Sequence, residues 1–397
     1  MGDLLASNDF TELSSEEMEH FSDLARQFTK KQVEPMFAGE GPDGNLELVP
    51  SIIGTAFVTG LASSPDKGSA GCEYGIFGCA CDTAGLQFSS VILKSVASVC
   101  GGIAMLLNTQ GVASHIIQLA PPVKGLSPQR AGICIQEGVS LPYFGAIQSP
   151  DQDLPARIVT EAVPAAGDYI INGQKSFVWS ISGVDTFVVF ARVASDWGCF
   201  LVSSNSKGLS KTDAGWRTGL RSCDLWNLEF DNVKVPARHR IDNGNAKGLL
   251  ARAMFLNWIG MSSIAVGIAQ GAIETAKDYA SQRYQGGTLI ENHPAIKNLI
   301  GESEAKAAVS DAAVQSISRP ASSFDRVFIR AAMTKLTVME LCAKAVTDCL
   351  QTMGGYGYME DFKVEKRLRD IATLKSAGGS PSYLKQIIFD IDREERK

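Results

Sequence analysis

The chain has 397 residues, 45% hydrophobic and 20% charged, with 37 basic against 43 acidic side chains. That length predicts two to three structural units with a core that needs no covalent staples, and the composition excludes disorder for the bulk of the chain. A formal net charge of -6 and a pI near 5.4 argue against nucleic acid or an anionic membrane surface as partner, since phosphate affinity needs clustered excess Lys and Arg.

In chain order, MGDLLASNDF lacks the basic and apolar regions of a secretory signal, and Ala6 stands where myristoylation needs Ser or Thr. Ser14 and Ser15 are N-cap candidates with Glu16 and Glu17 in the first turn. Met18, Phe21, Leu24, Ala25 and Phe28 then repeat at helical spacing until Pro35. GSAGCEYGIFGC is a Gly-rich connection to a second helical stretch, Leu86 to Leu119, apolar on most faces and therefore buried.

Between about Gly132 and Ile241 the pattern changes to short alternating runs rich in Val, Ile, Phe and Trp: GICIQ, ARIVTEA, DYIING, DTFVVFARV, GCFLVS and LWNLEFDNVKVP. Separated by Gly, Asp, Ser and Pro, they predict antiparallel strands, and Asn172-Gly173 predicts a hairpin turn. After Asn243 the helical period returns: Leu249 to Arg283 as one amphipathic run carrying small residues at Gly260, Ser263, Gly267 and Gly271, then Pro294 to Ser316 and Phe324 to Met353 around an RPASS loop. Helices, strands and helices segregated in this order predict an α+β protein rather than an alternating βαβ sheet. The expected units are an N-terminal helical domain over 1–127, a central β domain over 128–242 and a C-terminal four-helix bundle over 243–397.

The nine cysteines are odd in number and scattered, and no apolar run is expected to reach the length of a membrane span, so a reduced, cytoplasmic setting is the simplest expectation. Cys79-Ala-Cys81 has no second pair to complete a metal site. Gly354-Gly355-Tyr356-Gly357 follows no strand, which excludes a Rossmann or Walker loop there. With four histidines and no partner motif, histidine-based nucleophilic catalysis is poorly supported.

Four segments in order, DYIINGQKSFVWSISGVD at 168–185, LEFDNVKVP at 228–236, GIAQGAIETAKDYASQR at 267–283 and LQTMGGYGYMEDFKVEKRLRD at 350–370, together resemble the acyl-CoA dehydrogenase family of FAD flavoproteins. The resemblance runs from about residue 10 to 390. It implies FAD between the β domain and the C-terminal helices, completed by a neighbouring subunit of a homodimer or homotetramer. Gln136, Phe177, Trp179, Arg283, Gln351, Gly354, Gly355 and Ser380 would be cofactor residues, with Arg283 on the pyrophosphate and Gly354 and Gly355 admitting close backbone approach. It further implies a CoA thioester as substrate, near Ser140, Asn257 and Gly378, and an electron-transfer flavoprotein or O₂ as acceptor. The bland readings are a solvated helix-end charge for Arg283 and a helix C-cap for the two glycines.

The sequence also departs from that family. Phe177 and Trp179 replace the usual Trp and Thr after the NGxK turn, and the loop that normally reads Thr-Glu-Pro begins here Gln136-Glu137-Gly138. Counting Arg369 as one, the tenth position, where relatives carry the Glu that takes the α-proton, is Gly378. The alternative base position falls at Asn257 or Trp258. None of these accepts a proton at neutral pH, and a positioned base contributes about 10²–10⁴-fold. Four readings follow: dehydrogenation of an unusually acidic, cyclic or unsaturated acyl-CoA, oxygenation of a CoA ester with O₂, C–S cleavage in a desulfinase-like reaction, and a non-catalytic CoA-ester binder. Glu137, Asp82, Glu73 and Tyr74 are weak substitutes for the base, each more simply a structural or solvated loop group.

Overall fold

The computed structural model describes residues 14–39, 41–65, 75–78, 83–120, 123–137, 160–181, 183–317 and 324–395. Helix α1 (Ser15–Phe28) opens with a capping box: Ser14 accepts from the Glu17 amide while the Glu17 carboxylate accepts from the Ser14 amide. A short α2 (Val49–Val58), started by Pro50, was not legible as a separate helix. The stretch expected as one helix over 86–119 is two, α3 (Thr83–Val99) and α4 (Gly101–Gln118), broken at the extended Cys100. Glycines make the break possible. A Cβ on Gly102 would stand 2.0 Å from Ser222 Oγ, and one on Gly101 would stand 3.0 Å from Asp370 Oδ2, so distant segments close directly over the backbone there.

Among the described residues seven strands follow: β1 (Ala131–Cys134), β2 (Glu161–Ala165), β3 (Asp168–Ser180), β4 (Thr186–Val193), β5 (Asp196–Ser203), β6 (Leu209–Asp213) and β7 (Asp224–Pro236). They form one sheet in the order β1-β4-β2-β3-β7-β6, with β5 on β4. The antiparallel expectation needs correcting in part, because β1 runs parallel to β4, Ala131 facing Thr186 and Cys134 facing Val189. A strand that arrives from a helix is free of the hairpin constraint that makes neighbours antiparallel.

The hairpin expected at Asn172-Gly173 is also corrected. These residues lie inside the continuous strand β3, at a register shift against β7 between Ile171 and Gly173. Gly173 has φ +134, and a Cβ there would stand 2.5 Å from Thr160 Cα, while the Asn172 side chain accepts from the Asn232 amide at 2.7 Å. The dipeptide that tolerates positive φ serves a bulge here. The turn joining β2 to β3 is instead Ala166-Gly167, both at positive φ.

The C-terminal part is led by α5 (Ala246–Gln282), 37 residues long. By length and composition it could cross a membrane, against expectation, yet 94% of its most apolar window is buried inside the protein, as in the core helix of a globular fold. Nor is it amphipathic as expected, being buried on nearly all sides as far as Ile273. Its small residues serve helix packing: a Cβ on Gly267 would stand 2.2 Å from the Lys94 carbonyl, and one on Gly271 2.0 Å from that of Ser98. A two-stranded ribbon, β8 (Tyr284–Gln285) and β9 (Thr288–Leu289), then leads into α6 (Pro294–Ile317), α7 (Phe324–Thr352), α8 (Val364–Ser376) and α9 (Pro381–Glu395). The RPASS loop falls outside the described residues. One hydrophobic core joins α1–α4 to α5–α9, and a smaller one lies on the sheet.

Candidate active site

A cavity of about 700 Å³ opens where β1 and β3 meet α4, α5, α8 and the start of α9. Of the residues singled out from sequence, Gln136, Phe177, Trp179, Asn257, Gly378 and Ser380 all line it. Sheet irregularity shapes the β3 wall. A second register shift falls between Lys175 and Val178, and Phe177 within it has φ 54 and is 41% exposed, with its amide donating to Asn227 Oδ1 at 3.2 Å. Gln136 accepts from the Ser176 amide through its carbonyl at 2.9 Å, which ties the β1 end to that bulge.

Behind this wall, Lys175 Nζ donates to Glu137 Oε1 at 2.7 Å, both side chains buried. Glu137 also accepts from the Thr160 amide at 3.2 Å. Burial pulls the Lys175 ammonium down and the Glu137 charge opposes that pull. Glu137 is therefore a strut of the sheet and does not line the cavity.

On the helical side, α8 is anchored by its own charges. Asp370 accepts from Lys366 at 2.6 Å and from the Leu220 amide at 2.6 Å, and Arg369 pairs with Glu365 and Asp43 at 2.7 and 2.9 Å. This presents Ala372, Thr373, Ser376 and Gly378 to the cavity. The Gly378-Gly379 segment is held from two sides: Trp258 Nε1 donates to the Gly378 carbonyl at 2.6 Å, and the buried Lys335 Nζ donates to the Gly379 carbonyl at 2.8 Å. Burial alone pushes the Lys335 ammonium down to about 7.

No carboxylate lines the cavity among the described residues, and Arg217 is the one charged side chain that does. Its guanidinium donates to the carbonyls of Gly215 and Arg221, both at 3.4 Å, and of Cys223, and its Nε is buried with no partner among the described residues. Burial raises the Tyr383 phenol above its ordinary value, so it stays protonated. Sequence reasoning missed Arg217, Lys335 and Tyr383; no local pattern marks them, since each is brought to the site by folding.

Arg283, Gln351, Gly354 and Gly355 do not line this cavity. All four are exposed, at the ends of α5 and α7, where the Arg283 guanidinium lies 5.5 Å from the Tyr356 ring centre. Asn257 lies within α5 and Arg283 caps its C-terminus 26 residues on, about 39 Å away at 1.5 Å per residue. Gly354, at φ +57 directly after α7, has the conformation of a helix terminator. Ser140, Glu73, Tyr74, Asp82, Cys79 and Cys81 lie outside the described residues. No metal-ligand cluster occurs among the described residues, and the described cysteines are free and buried.

Residues 249–390 match the family model for the acyl-CoA dehydrogenase C-terminal domain. The chain is 29% identical over 291 residues to cyclohex-1-ene-1-carbonyl-CoA dehydrogenase of Syntrophus aciditrophicus, covering 71% of this chain and 69% of that protein. It is 26% identical over 307 residues to the CarC subunit of the caffeyl-CoA reductase–Etf complex of Acetobacterium woodii, 76% and 77% of the two chains. Butyryl-CoA dehydrogenase from Megasphaera elsdenii superposes with a TM-score of 0.77 over 96% of this chain and 98% of that one, at 19% identity.

Residues 249–390 thus match the acyl-CoA dehydrogenase C-terminal domain, and the chain as a whole is similar to acyl-CoA dehydrogenases in sequence and fold. The cavity sits where β strands, long helix and C-terminal helices converge, and Gly378, expected from sequence at the base position, lines it.

Proposed function

We propose that this protein catalyses FAD-dependent α,β-dehydrogenation of a CoA thioester whose α-proton is acidic without help from a side-chain carboxylate. The observation that carries this reading is the cavity itself: six of the family-matched positions converge on it, and none of its described lining residues is a carboxylate. The residues fit a flavin. Phe177 offers an exposed aromatic face, Trp179, Ile133 and Ile135 add flat apolar wall, and the volume suits a tricyclic ring with an acyl group beside it. When bound, FAD supplies the two-electron acceptor for the hydride lost from the β-carbon.

Each remaining role falls to this chain's residues. Phe177 and Trp179 hold the ring plane, and Gln136 provides a carboxamide at the ring edge. Arg217, whose Nε has no partner among the described residues, favours an electron-rich ligand. Trp258 and Lys335 keep the Gly378 segment from closing over the space beside Asn257. With no carboxylate among the described lining residues, the α-proton leaves to water, which suits a thioester whose product gains extended conjugation. The relatives named above, acting on a cyclohexene carbonyl-CoA and on caffeyl-CoA, support an unsaturated or cyclic acyl group, and the Etf-complex relative supports an electron-transfer flavoprotein as acceptor.

The distance along α5 separates Arg283 from the cavity by more than an extended dinucleotide can bridge. Arg283, Gln351, Gly354 and Gly355 would therefore serve the cofactor of a second copy, which requires at least a homodimer. Anaerobic mixing of purified holoenzyme with saturated, cyclic, unsaturated and sulfinylated CoA esters tests the proposal. Flavin bleaching by a cyclic or unsaturated ester, with the conjugated thioester as product, is expected. Sulfite release, oxygen incorporation after exposure to air, or bleaching by none of them would overturn it.

A further inference from the structure

Below the cavity, at the contact between α4 and α5, two carboxamides form a pair that dehydrogenation itself does not require. Asn108 of α4 is fully buried, and its Nδ2 donates to Asn257 Oδ1 at 2.9 Å. Gly260 makes room for it, since a Cβ there would stand 1.7 Å from Asn108 Oδ1. With its oxygen engaged, the Asn257 side chain turns its amide nitrogen toward Gly378: Nδ2 lies 3.0 Å from the point where a Cβ on Gly378 would stand. Asn257 lines the cavity, and its Nδ2 has no protein acceptor among the described residues.

The volume above Gly378 is held open, because the Gly378 and Gly379 carbonyls are fixed by Trp258 and Lys335 at 2.6 and 2.8 Å. Met254 and Met261, one turn to either side of Asn257 on α5, and Met105 and Trp258 add apolar wall to the cavity. An oriented donor beside such groups is a strong discriminator, since a ligand that offers it no acceptor strands a polar group away from water. Its partner is an oxygen without charge: one neutral N–H cannot compensate a carboxylate taken out of water, and a cationic group would find no carboxylate among the described lining residues.

We infer that Asn257, oriented by Asn108, is a specificity-determining donor for a neutral oxygen on the acyl group, so that the thioester accepted here is an oxygenated one, carrying an oxo or ether oxygen. This rests on the CoA-thioester reading of the cavity. The test measures dissociation constants of the holoenzyme for cyclohexanecarbonyl-CoA and its 3-oxo and 4-oxo ring analogues by perturbation of the flavin spectrum. Wild type is expected to bind one oxo ester about 10-fold more tightly than the parent. That ratio should fall toward one in Asn257→Leu and in Asn108→Leu. The near-isosteric Asn257→Asp, which still accepts from Asn108 but presents an acceptor to the cavity, should bring it below one even if the leucine variants fold poorly. Equal affinity of wild type for all three esters, or an oxo preference retained by Asn257→Asp, overturns the inference and leaves the thioester reading standing. Failure of all three esters to bind overturns the thioester reading itself.

Discussion

Gly378 illustrates what a single position can and cannot disclose. Its place in the count from Arg369 was visible in the sequence, but its φ of +62 and the hydrogen bonds that pin its neighbourhood were not. Lys335 was invisible as a site residue because nothing near it in sequence contacts the cavity; the Gly379 carbonyl it holds is 44 residues away. Its folded-state value of about 7 lies below the ordinary lysine value of 10.5. The unfolded chain therefore holds a proton between those limits that the folded chain releases. This contribution to stability is complete above about pH 10.5 and is lost as pH falls toward 7, with a slope of at most about 1.4 kcal/mol per pH unit. Urea unfolding of wild type and Lys335→Met at pH 7.0 and 9.5 checks it: wild type should gain stability relative to the variant at the higher pH, and a constant difference would contradict the assignment.

At the scale of elements, β3 carries the site by being irregular. Its alternation was legible, and the two register shifts that turn Phe177 into the cavity and let Gly173 approach Thr160 were not, because a bulge depends on the partner strand as much as on its own residues. Lys175 sits between those shifts, and its ion pair with Glu137 is the link between β3 and the end of β1. Replacing Lys175 with Met leaves a buried carboxylate without its partner. A loss of about 3–5 kcal/mol is expected from chemical denaturation, whereas Lys175→Met combined with Glu137→Leu should recover most of it. Equal losses in the single and double variants would mean that the pair is not the link it is taken to be.

Across the whole molecule, the order of helices, strands and helices was readable from hydrophobic period alone, and the structure adds that the first and last helical groups share one core. A buried histidine lies in that shared core. His115 on α4 accepts from Arg252 Nε of α5 at 3.2 Å through Nε2, and its Nδ1 lies 3.3 Å from the Gly78 carbonyl, which fixes the neutral ring with the proton on Nδ1. Burial first, and the Arg252 charge second, push its value down to about 3. The unfolded chain takes up this proton near pH 6.5, so stability present above that value is lost as pH falls toward 3. His115→Gln, which can still accept from Arg252 and donate to Gly78, should flatten the decline in unfolding free energy between pH 6.5 and 5. An unchanged slope would place the acid sensitivity elsewhere.

The sequence by itself carried the acyl-CoA dehydrogenase resemblance and the α+β plan, because hydrophobic period and ordered motifs are properties of the chain in one dimension. Only the tertiary structure decided which residues meet. Gly378 meets Asn257 at the cavity because α4, α5 and α7 bring Asn108, Asn257, Trp258 and Lys335 together from separate parts of the chain. The same holds for the division between the cavity and the exposed Arg283 face. Both follow from helix length and close packing, which set distances that no local pattern records.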